Sequence, residues 1–384
     1  MANTLTNLTP DLYEALDTVS RELVGLIPSV TLNASAERAA KGQTIRSAVA
    51  PAAAAADITP AQKAPDTGDQ TIGNKTLSIS NSRGVAIRYN GEEQRGLNAN
   101  GPGYQNVLRD QFAQAMRTLC NEVETDIADL YASASRGYGT AGTTPFGTAG
   151  NFTDASSALQ ILKDNGAPLT GNQLVVGSTA GANMLGLQSR VDVQGNDSLL
   201  RQGVMLSTAG MDIRESAQII SHTKGTGSSA TTDDSGYAVG ATVITLASAG
   251  TGTILAGDVI TFAGDTNKYV VASGDADVSG GGTITLAAPG LKVAIAASAT
   301  AITVGDSYAA NMAFNRSAIV LVTRAPARPE EGDLAEDVML VTDPRSGITF
   351  EVSMYKEYRQ VHFEVALAWG VSAIKPEHMA LLVG

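Results

Sequence analysis

The chain has 384 residues, of which 43% are hydrophobic and 5% aromatic, and 40 of them are glycine. A chain of this length is expected to form about two or three domains, and the scarcity of aromatic residues argues against a deep aromatic-lined ligand pocket. The formal net charge of −12 argues against a protein that grips nucleic acid, because such proteins usually carry a dense basic patch.

The first predicted element is a short helix that begins at Pro10. Thr9 supplies a capping side chain, Pro10 suits the first helical position, and apolar residues then repeat at helical spacing until Pro28. The opening sequence MANTLTNLTP has neither the basic start nor the apolar core of a signal peptide. A short amphipathic helix is marginal alone, so residues 1–43 are expected to form an N-terminal arm and helix that rests on a partner surface.

Residues 44–98 are predicted to form an extended loop. Hydrophobic residues around Ile45 and Ile72 flank an alanine tract with several prolines, and residues 75–89 alternate as a strand does. This segment has too little apolar mass to bury itself. A mobile loop is one interpretation, and an arm that rests on another subunit is the one we favour.

The strongest pattern in the sequence is a helix of about thirty residues, or roughly 45 Å. Apolar residues advance by three or four positions from Leu108 to Ala134. Gly101–Gly103 precede the helix, and Gly137 is expected to end it. Its polar side is expected to carry four carboxylates, those of Glu122, Glu124, Asp126 and Asp129.

A mixed region follows, and then a β-rich block. Helices are predicted at 153–165 and 179–187, with a strand between them. From Ser221 to Asp306 the chain is rich in Gly, Ala, Ser, Thr and Val, and short strands recur about every ten residues between glycine turns. Because an α/β pattern resumes at Ser317, this block is predicted to be an inserted β-barrel or sandwich. The predicted units are 1–43, 44–98, 99–221, 222–306 and 307–384.

The sequence contains only weak matches to catalytic, cofactor-binding and metal-binding motifs. Gly137–Gly142 matches the dinucleotide-binding glycine pattern, but it follows a helix and precedes none, so a flexible connection is expected. The aspartates at 233–234 and 275–277 lack calcium-loop spacing and are interpreted as turn residues. No stretch approaches the ~18 uninterrupted apolar residues of a membrane-spanning helix. We therefore predict no catalytic, cofactor-binding or metal-binding residues, and no membrane association.

The histidines and the cysteine are also interpreted as structural. His222, His362 and His378 are far apart and lack metal-ligand spacing, so each is expected at the surface or at an interface. Cys120 lies beside the apolar stripe of the long helix and is expected to be a packed thiol. A single cysteine excludes an intrachain disulfide and is typical of a cytosolic setting.

The order of these parts resembles the major capsid proteins of tailed bacteriophages, the Hong Kong 97 fold. It is most similar to the coat-protein family of short-tailed Salmonella phages, whose subunits carry an inserted β-barrel. The local likeness is at Thr208–Asp212, Gly257–Gly264, Ala366–Ala373 and Lys375–Glu377. The resemblance implies an α+β fold with an N-arm, an extended E-loop, a long spine helix, P- and A-domains, and an inserted small β-barrel domain.

The resemblance also implies a function. The chain would be a major capsid protein, not an enzyme, that assembles as hexamers and pentamers into an icosahedral head around double-stranded DNA, which it meets only by non-specific proximity. A scaffolding protein and a portal would be partners during assembly in the host bacterial cytoplasm, and the virion would be its final location. Another self-associating β-rich phage or surface-layer protein is the alternative, and an unrecognised metal-dependent enzyme is a more distant one.

One contact between subunits is predicted from charge. The carboxylates on the long helix repel one another unless they are neutralised. The arm and its base carry three arginines, Arg83, Arg88 and Arg95. We expect arginines of one subunit to face the carboxylates of its neighbour: Glu122, Glu124, Asp126 and Asp129. A solvated acidic face is the alternative.

Overall fold

The computed structural model describes residues 25–49, 58, 60, 73–100, 103–147, 152–188, 209–343 and 347–384. Up to residue 24, the helix predicted to begin at Pro10 lies outside these ranges, and so does the arm tip between residues 50 and 72 apart from residues 58 and 60. Within the described ranges, no helix is long and apolar enough to cross a membrane.

The described part of the chain contains four α-helices and 19 strands. The helices are α1 (Gly91–Asn100), α2 (Tyr104–Ala128), α3 (Thr153–Asp164) and α4 (Ser178–Gln188). The strands are β1 (Thr31–Ala39), β2 (Thr44–Val49), β3 (Gly73–Ser78), β4 (Asn81–Asn90), β5 (Arg136–Gly139), β6 (Asn172–Val176), β7 (Asp212–Glu215), β8 (Ser221–His222), β9 (Val243–Leu246), β10 (Val259–Phe262), β11 (Lys268–Ser273), β12 (Gly282–Leu286), β13 (Ile302–Val304), β14 (Tyr308–Asn315), β15 (Ile319–Pro326), β16 (Ala335–Thr342), β17 (Thr349–Glu357), β18 (Gln360–Ala373) and β19 (Met379–Val383).

The long strand β18 organises the first sheet. The strand order is β1-β15-β18-β17-β16, and β4 also pairs with β18. β1 runs parallel to β15, and the other pairs are antiparallel. Alternate residues of β18, from Phe363 to Trp369, point to one face and are buried there. The sheet therefore offers one apolar face, and α2 packs on it.

The predicted long helix is present as α2, followed by a 3-10 helix at Asp129–Ser133. Its apolar stripe joins the core of the first sheet. The rings of Phe112 and Phe363 meet edge to face, with centroids 5.6 Å apart. The prediction that Cys120 is a packed thiol is confirmed, since it is fully buried in this core.

The expectation for Gly137 and the residues after it is wrong. Gly137 lies within β5, which pairs in parallel with β19 and antiparallel with β11, so the start of the glycine-rich stretch is a sheet strand and not a flexible connection. Gly139 has a φ of +104°, and an added Cβ would overlap the carbonyl oxygen of Val383. Glycine is present here because two backbones approach closely.

The second sheet runs in the order β13-β10-β11-β5-β19-β14-β6-β7, with β8, β9 and β12 attached beside it. Helices α3 and α4 share a hydrophobic core with β6, β14 and β19. The α3 helix carries its apolar residues at helical spacing, and Ala155, Leu159 and Leu162 are buried. Both helices lie where the sequence predicts them.

Residues 222–306, called the β-rich segment from here on, contain strands β9 to β13 and a separate hydrophobic core that includes Ile244, Ile260 and Ile284. The sequence predicts five short strands here, at 241–247, 258–263, 268–272, 283–287 and 291–296, and the first four are present. The fifth, at 291–296, contributes only an isolated bridge between Tyr237 and Ile295. Because β11 pairs with β5, the strands of this segment continue the second sheet.

Two predictions about polar residues have different outcomes. The aspartates Asp233 and Asp277 are turn residues, since each accepts hydrogen bonds from the serine two positions later. The expectation that the histidines lie at the surface or at an interface is wrong for His222 and His378, which are buried within the chain at 5% and 7% exposure. His222 is held by Tyr131 and Asp258, 91 and 36 residues away in the chain, and spacing alone does not reveal such partners.

Candidate functional site

A groove lies between α2 and β4, where the residues of the predicted charge contact meet. It consists of two hollows of about 390 and 420 Å³ that share Thr118. One wall is formed by β4 and the other by the α2 residues between Gln111 and Asp126. At 1.5 Å per residue, this part of α2 spans roughly 22 Å. We call it the helix groove.

The alternation of β4 decides which of its side chains reach the helix. Ile87 and Tyr89 are buried towards α2, so Arg88 between them points to the opposite face of the sheet. The ring of Tyr89 meets that of Tyr104 edge to face at 5.0 Å, and its hydroxyl donates to Gln111. Arg88 is therefore exposed on the face of the sheet that is turned away from the helix carboxylates.

Arg83 points to the same face of the sheet as Ile87 and Tyr89, the face that carries α2. Its Nη1 atom is 3.3 Å from Oε1 of Glu122 in the same chain, and the two side chains are 61% and 36% exposed. An exposed pair of this kind contributes about 0–1 kcal/mol to stability. The structure thus joins one predicted arginine and one predicted carboxylate within a single chain.

Asp126 has partners that charge patterning does not reveal. Its Oδ2 atom accepts hydrogen bonds of 2.6 Å from the indole Nε1 of Trp369 and from Nδ2 of Asn81. This carboxylate therefore ties α2 to β18 and to β4. Asp129, three residues further along, is exposed in part only. Its partial burial, together with the charge of Asp126, raises the pKa of its carboxyl.

Glu124 is a correction to the predicted polar side of the helix. It is only 5% exposed, and it accepts hydrogen bonds from Ser216 Oγ at 2.6 Å and from the backbone N–H of Ile27 at 3.4 Å. A Cβ on Gly25 would lie 2.8 Å from its carboxylate oxygens. The chain between residues 25 and 27 covers Glu124, so this side chain does not face a neighbour.

Burial raises the pKa of the Glu124 carboxyl, and the hydrogen bonds from Ser216 and the backbone oppose the rise only in part. A carboxyl whose folded pKa is raised stabilises the fold below its unfolded pKa, about 4.3. That contribution is lost as the pH rises through the folded pKa.

We therefore predict that Glu124→Gln removes a pH dependence. In the wild type, the free energy of unfolding of the isolated subunit falls as the pH rises above about 4.3, with a slope that approaches about 1.4 kcal/mol per pH unit at most. Urea unfolding at several pH values measures this slope. Glu122→Gln is the matched control, because that carboxylate is partly solvated, and it should keep the wild-type slope. An unchanged slope in Glu124→Gln would contradict the prediction.

The fold thus places the residues of the predicted charge contact in different environments. Arg83 meets Glu122, Asp126 is bonded to Trp369, and Glu124 is buried. Arg88 and Arg95 are both exposed, and neither has an ion pair with a carboxylate in the described ranges. These two arginines remain available to a neighbouring subunit, and the intersubunit contact stays a prediction for them.

A second cleft, of about 740 Å³, lies between α3 and β5. Its two cations are engaged within the fold. Arg136 donates to Asn267 at 2.9 Å and lies 3.4 Å from Asp164, and Lys268 donates to the carbonyl of Gly139. In the described ranges, no group of three or more His, Cys, Asp or Glu side chains is placed to hold a metal ion.

No protein-family model matches the chain, and no curated protein sequence matches it significantly. Three similar solved structures are described as Mycobacterium phage Che8, the capsid of the Cyanophage P-SCSP1u, and a virus-like particle from Pyrococcus furiosus. Their sequence identities are 12%, 11% and 11%, and their TM-scores are 0.45, 0.47 and 0.45. The matches cover 93%, 92% and 97% of this chain, and 90%, 86% and 98% of the other chains.

Proposed function

We propose that this chain is a major capsid protein, a subunit that self-assembles into the shell of a tailed bacteriophage. The observation that carries the proposal is the β2–β3 hairpin. Among the described residues, this hairpin joins a hydrophobic cluster only at its base, where Ile45 packs on Ala39, Ile79 and Ala368. A two-stranded hairpin is marginally stable alone, so we infer that a neighbouring subunit supports the part of this hairpin beyond its base.

The helix groove supplies a place for such a contact. It is open to solvent, runs along a helix of 25 residues, and lies beside the strand that continues from the hairpin. We propose that the β2–β3 hairpin, the outer part of the predicted arm 44–98, crosses the groove of a neighbouring subunit, because β4 is held in the first sheet of its own subunit. Arg88 and Arg95 are exposed, and they are the arginines we expect to meet a neighbour's carboxylates.

The finer points of the proposal follow the resemblance to the Hong Kong 97 fold and to the coat proteins of short-tailed Salmonella phages. The subunits form hexamers and pentamers in an icosahedral head around double-stranded DNA. A scaffolding protein and a portal take part in assembly in the bacterial cytoplasm. The β-rich segment is an inserted domain within a body formed by residues 99–221 and 307–384. No enzymatic activity is proposed.

Electron microscopy of negatively stained protein tests this function. The wild type, expressed with and without its neighbouring genes, should form uniform round shells in at least one sample. Arg88→Glu should reduce the yield of shells while the melting temperature of the subunit stays unchanged, because Arg88 is exposed and makes no ion pair within the described part of its own chain.

Lys292→Glu is the control for charge reversal, because Lys292 is also exposed but lies in the β-rich segment. It should assemble as the wild type does. Dispersed subunits in both wild-type samples would overturn the proposed function. Normal shells from Arg88→Glu would overturn only the contact assigned to that arginine.

A further inference from the structure

Four elements that are distant in sequence meet at one buried point, which we call the joint. The 3-10 helix that ends α2 contributes Tyr131, and the start of the β-rich segment contributes His222. A loop within that segment contributes Gly257 and Asp258. The strand that leaves the segment, β14, contributes Tyr308. His222 is 5% exposed and Asp258 is 1% exposed, so water does not substitute for the contacts among them.

The hydrogen bonds of the joint indicate which nitrogen of the His222 ring donates to Asp258. Nε2 lies 2.8 Å from Oδ1 of Asp258, and Nδ1 lies 2.8 Å from the hydroxyl of Tyr131. An ionised carboxylate only accepts, so Nε2 carries a proton and donates it. With a neutral ring, Nδ1 then accepts from the Tyr131 hydroxyl. One imidazole thereby bonds the end of the long helix to the β-rich segment.

Asp258 is held from its other side by the segment itself. Its carboxylate accepts from the backbone N–H of Leu255 at 2.7 Å and of Gly225 at 3.0 Å. These bonds fix Asp258 relative to the first residues of the segment. A shift of His222 therefore moves a rigid loop rather than a free side chain.

The rings of the joint leave little room for adjustment. Tyr308 stacks at an angle on His222, with centroids 5.1 Å apart, and its hydroxyl donates to the carbonyl of Gly257 at 2.5 Å. Gly257 has a φ of +91°, and a Cβ there would lie 2.6 Å from the ring of Tyr131. Glycine is therefore required for the helix end and the segment loop to come together.

The β-rich segment has a second attachment to the body in the short β5–β11 ladder, where Lys268 lies opposite Gly137 and Tyr269 opposite Arg136. The joint adds an attachment away from this ladder, and the two attachments together restrict the rotation of the segment relative to the body.

We propose that His222 is a positioning residue that couples the carboxyl end of α2 to the orientation of the β-rich segment. This inference goes beyond shell assembly, and unassembled subunits are sufficient to test it. When the end of α2 moves, Tyr131 moves with it, and the hydrogen bonds of His222 carry that displacement to Asp258 and the loop around it.

A distance between two spin labels tests the coupling. The labels are placed at Asn121→Cys on the exposed side of α2 and at Val239→Cys, which is 62% exposed in the β-rich segment. The native Cys120 is fully buried and should not take up label. Pulsed electron resonance on unassembled subunits should give a single narrow distance for the otherwise wild-type protein.

His222→Ala and Asp258→Asn should each lose that single distance. His222→Gln, which can still donate to Asp258, should retain part of the narrow population. Ile284→Ala is the matched control, because it weakens the core of the same segment away from the joint, and the folded protein should keep the wild-type distance. A narrow wild-type distance in His222→Ala would overturn the proposal, as would an equal loss in Ile284→Ala.

Should His222→Ala fail to fold, Tyr131→Phe decides the question. It removes the hydroxyl that donates to His222 and keeps the ring against Gly257. A broadened distance is the expected result, and a distance identical to that of the wild type would overturn the coupling.

Discussion

Glu351→Gln is expected to lower the free energy of unfolding by about 3 kcal/mol, the lower end of the range for a buried ion pair that loses one partner. Glu351 is 3% exposed and lies between two arginines. It accepts from Nε of Arg328 at 2.8 Å and also pairs with Arg38. Glutamine would remove the anion that lies between Arg38 and Arg328, and Arg328 would keep its ion pair of 3.1 Å with Asp333. The lower end applies because Arg38 is 35% exposed.

Urea unfolding of the subunit at neutral pH measures this loss. The matched control is Glu336→Gln, which breaks a pair of 2.8 Å with Lys356 in the same sheet. Those side chains are 47% and 37% exposed, so the expected change is about 0–1 kcal/mol. If the two variants lost the same stability, the buried pair would have no special role.

Trp369→Ala is expected to cost about 3–5 kcal/mol of stability. Trp369 is 1% exposed in the core between β18 and α2, and its indole N–H is the donor to Asp126. The substitution leaves a large cavity and also removes a hydrogen bond from a partly buried carboxylate. Thermal and urea unfolding followed by circular dichroism measure the loss.

Trp369→Phe separates the two causes. It removes the N–H donor and keeps most of the apolar volume, so we expect a smaller cost of about 1–3 kcal/mol. Because Trp369 is the only tryptophan, the wild-type fluorescence reports on this contact alone. Asp126→Asn should change that emission without opening a cavity. Equal costs for the alanine and phenylalanine variants would contradict the assignment of the larger cost to packing.

Periodicity predicted the elements whose cause is local. An apolar stripe over more than six turns is sufficient to predict α2, whatever surface the helix packs against. Apolar and polar residues that alternate between glycine turns predict most strands of the β-rich segment. Helix α1 was missed because GEEQRGLNAN has no apolar period. The structure shows instead a reciprocal cap, in which Asn90 and Glu93 each bond the backbone N–H of the other.

The predictions that failed concern residues whose environment comes from distant parts of the chain. Glu124 has the spacing of a polar helix position, but Ser216 and Ile27, 92 and 97 residues away, bury it. His222 is buried by Asp258 and Tyr131 in the same way. Gly137 resembles a turn residue, and only its partners β11 and β19 make it part of a strand.

The sequence predicted which charged residues lie at the candidate site, but it did not predict which of them contact one another. The sequence placed arginines near the arm and carboxylates on the long helix, and both are there. It could not show that β4 turns Arg83 towards the helix and Arg88 away from it, because the register against β18 sets that choice. Nor does any local pattern connect Asp126 with Trp369, 243 residues later.

The way β4 is joined to β18 has a mechanical consequence. Only Ile79 and Ser80 separate the hairpin strand β3 from β4, and all 10 residues of β4 lie opposite β18, from Asn81 against Trp369 to Asn90 against Gln360. The hydrogen bonds between antiparallel strands run perpendicular to the strands. A pull on the hairpin along β4 therefore loads the whole ladder in shear and is shared among its bonds, whereas a pull across the ladder would break them one at a time. The hairpin is therefore anchored so that a force along β4 is transmitted to the body of the subunit through all the hydrogen bonds of this ladder.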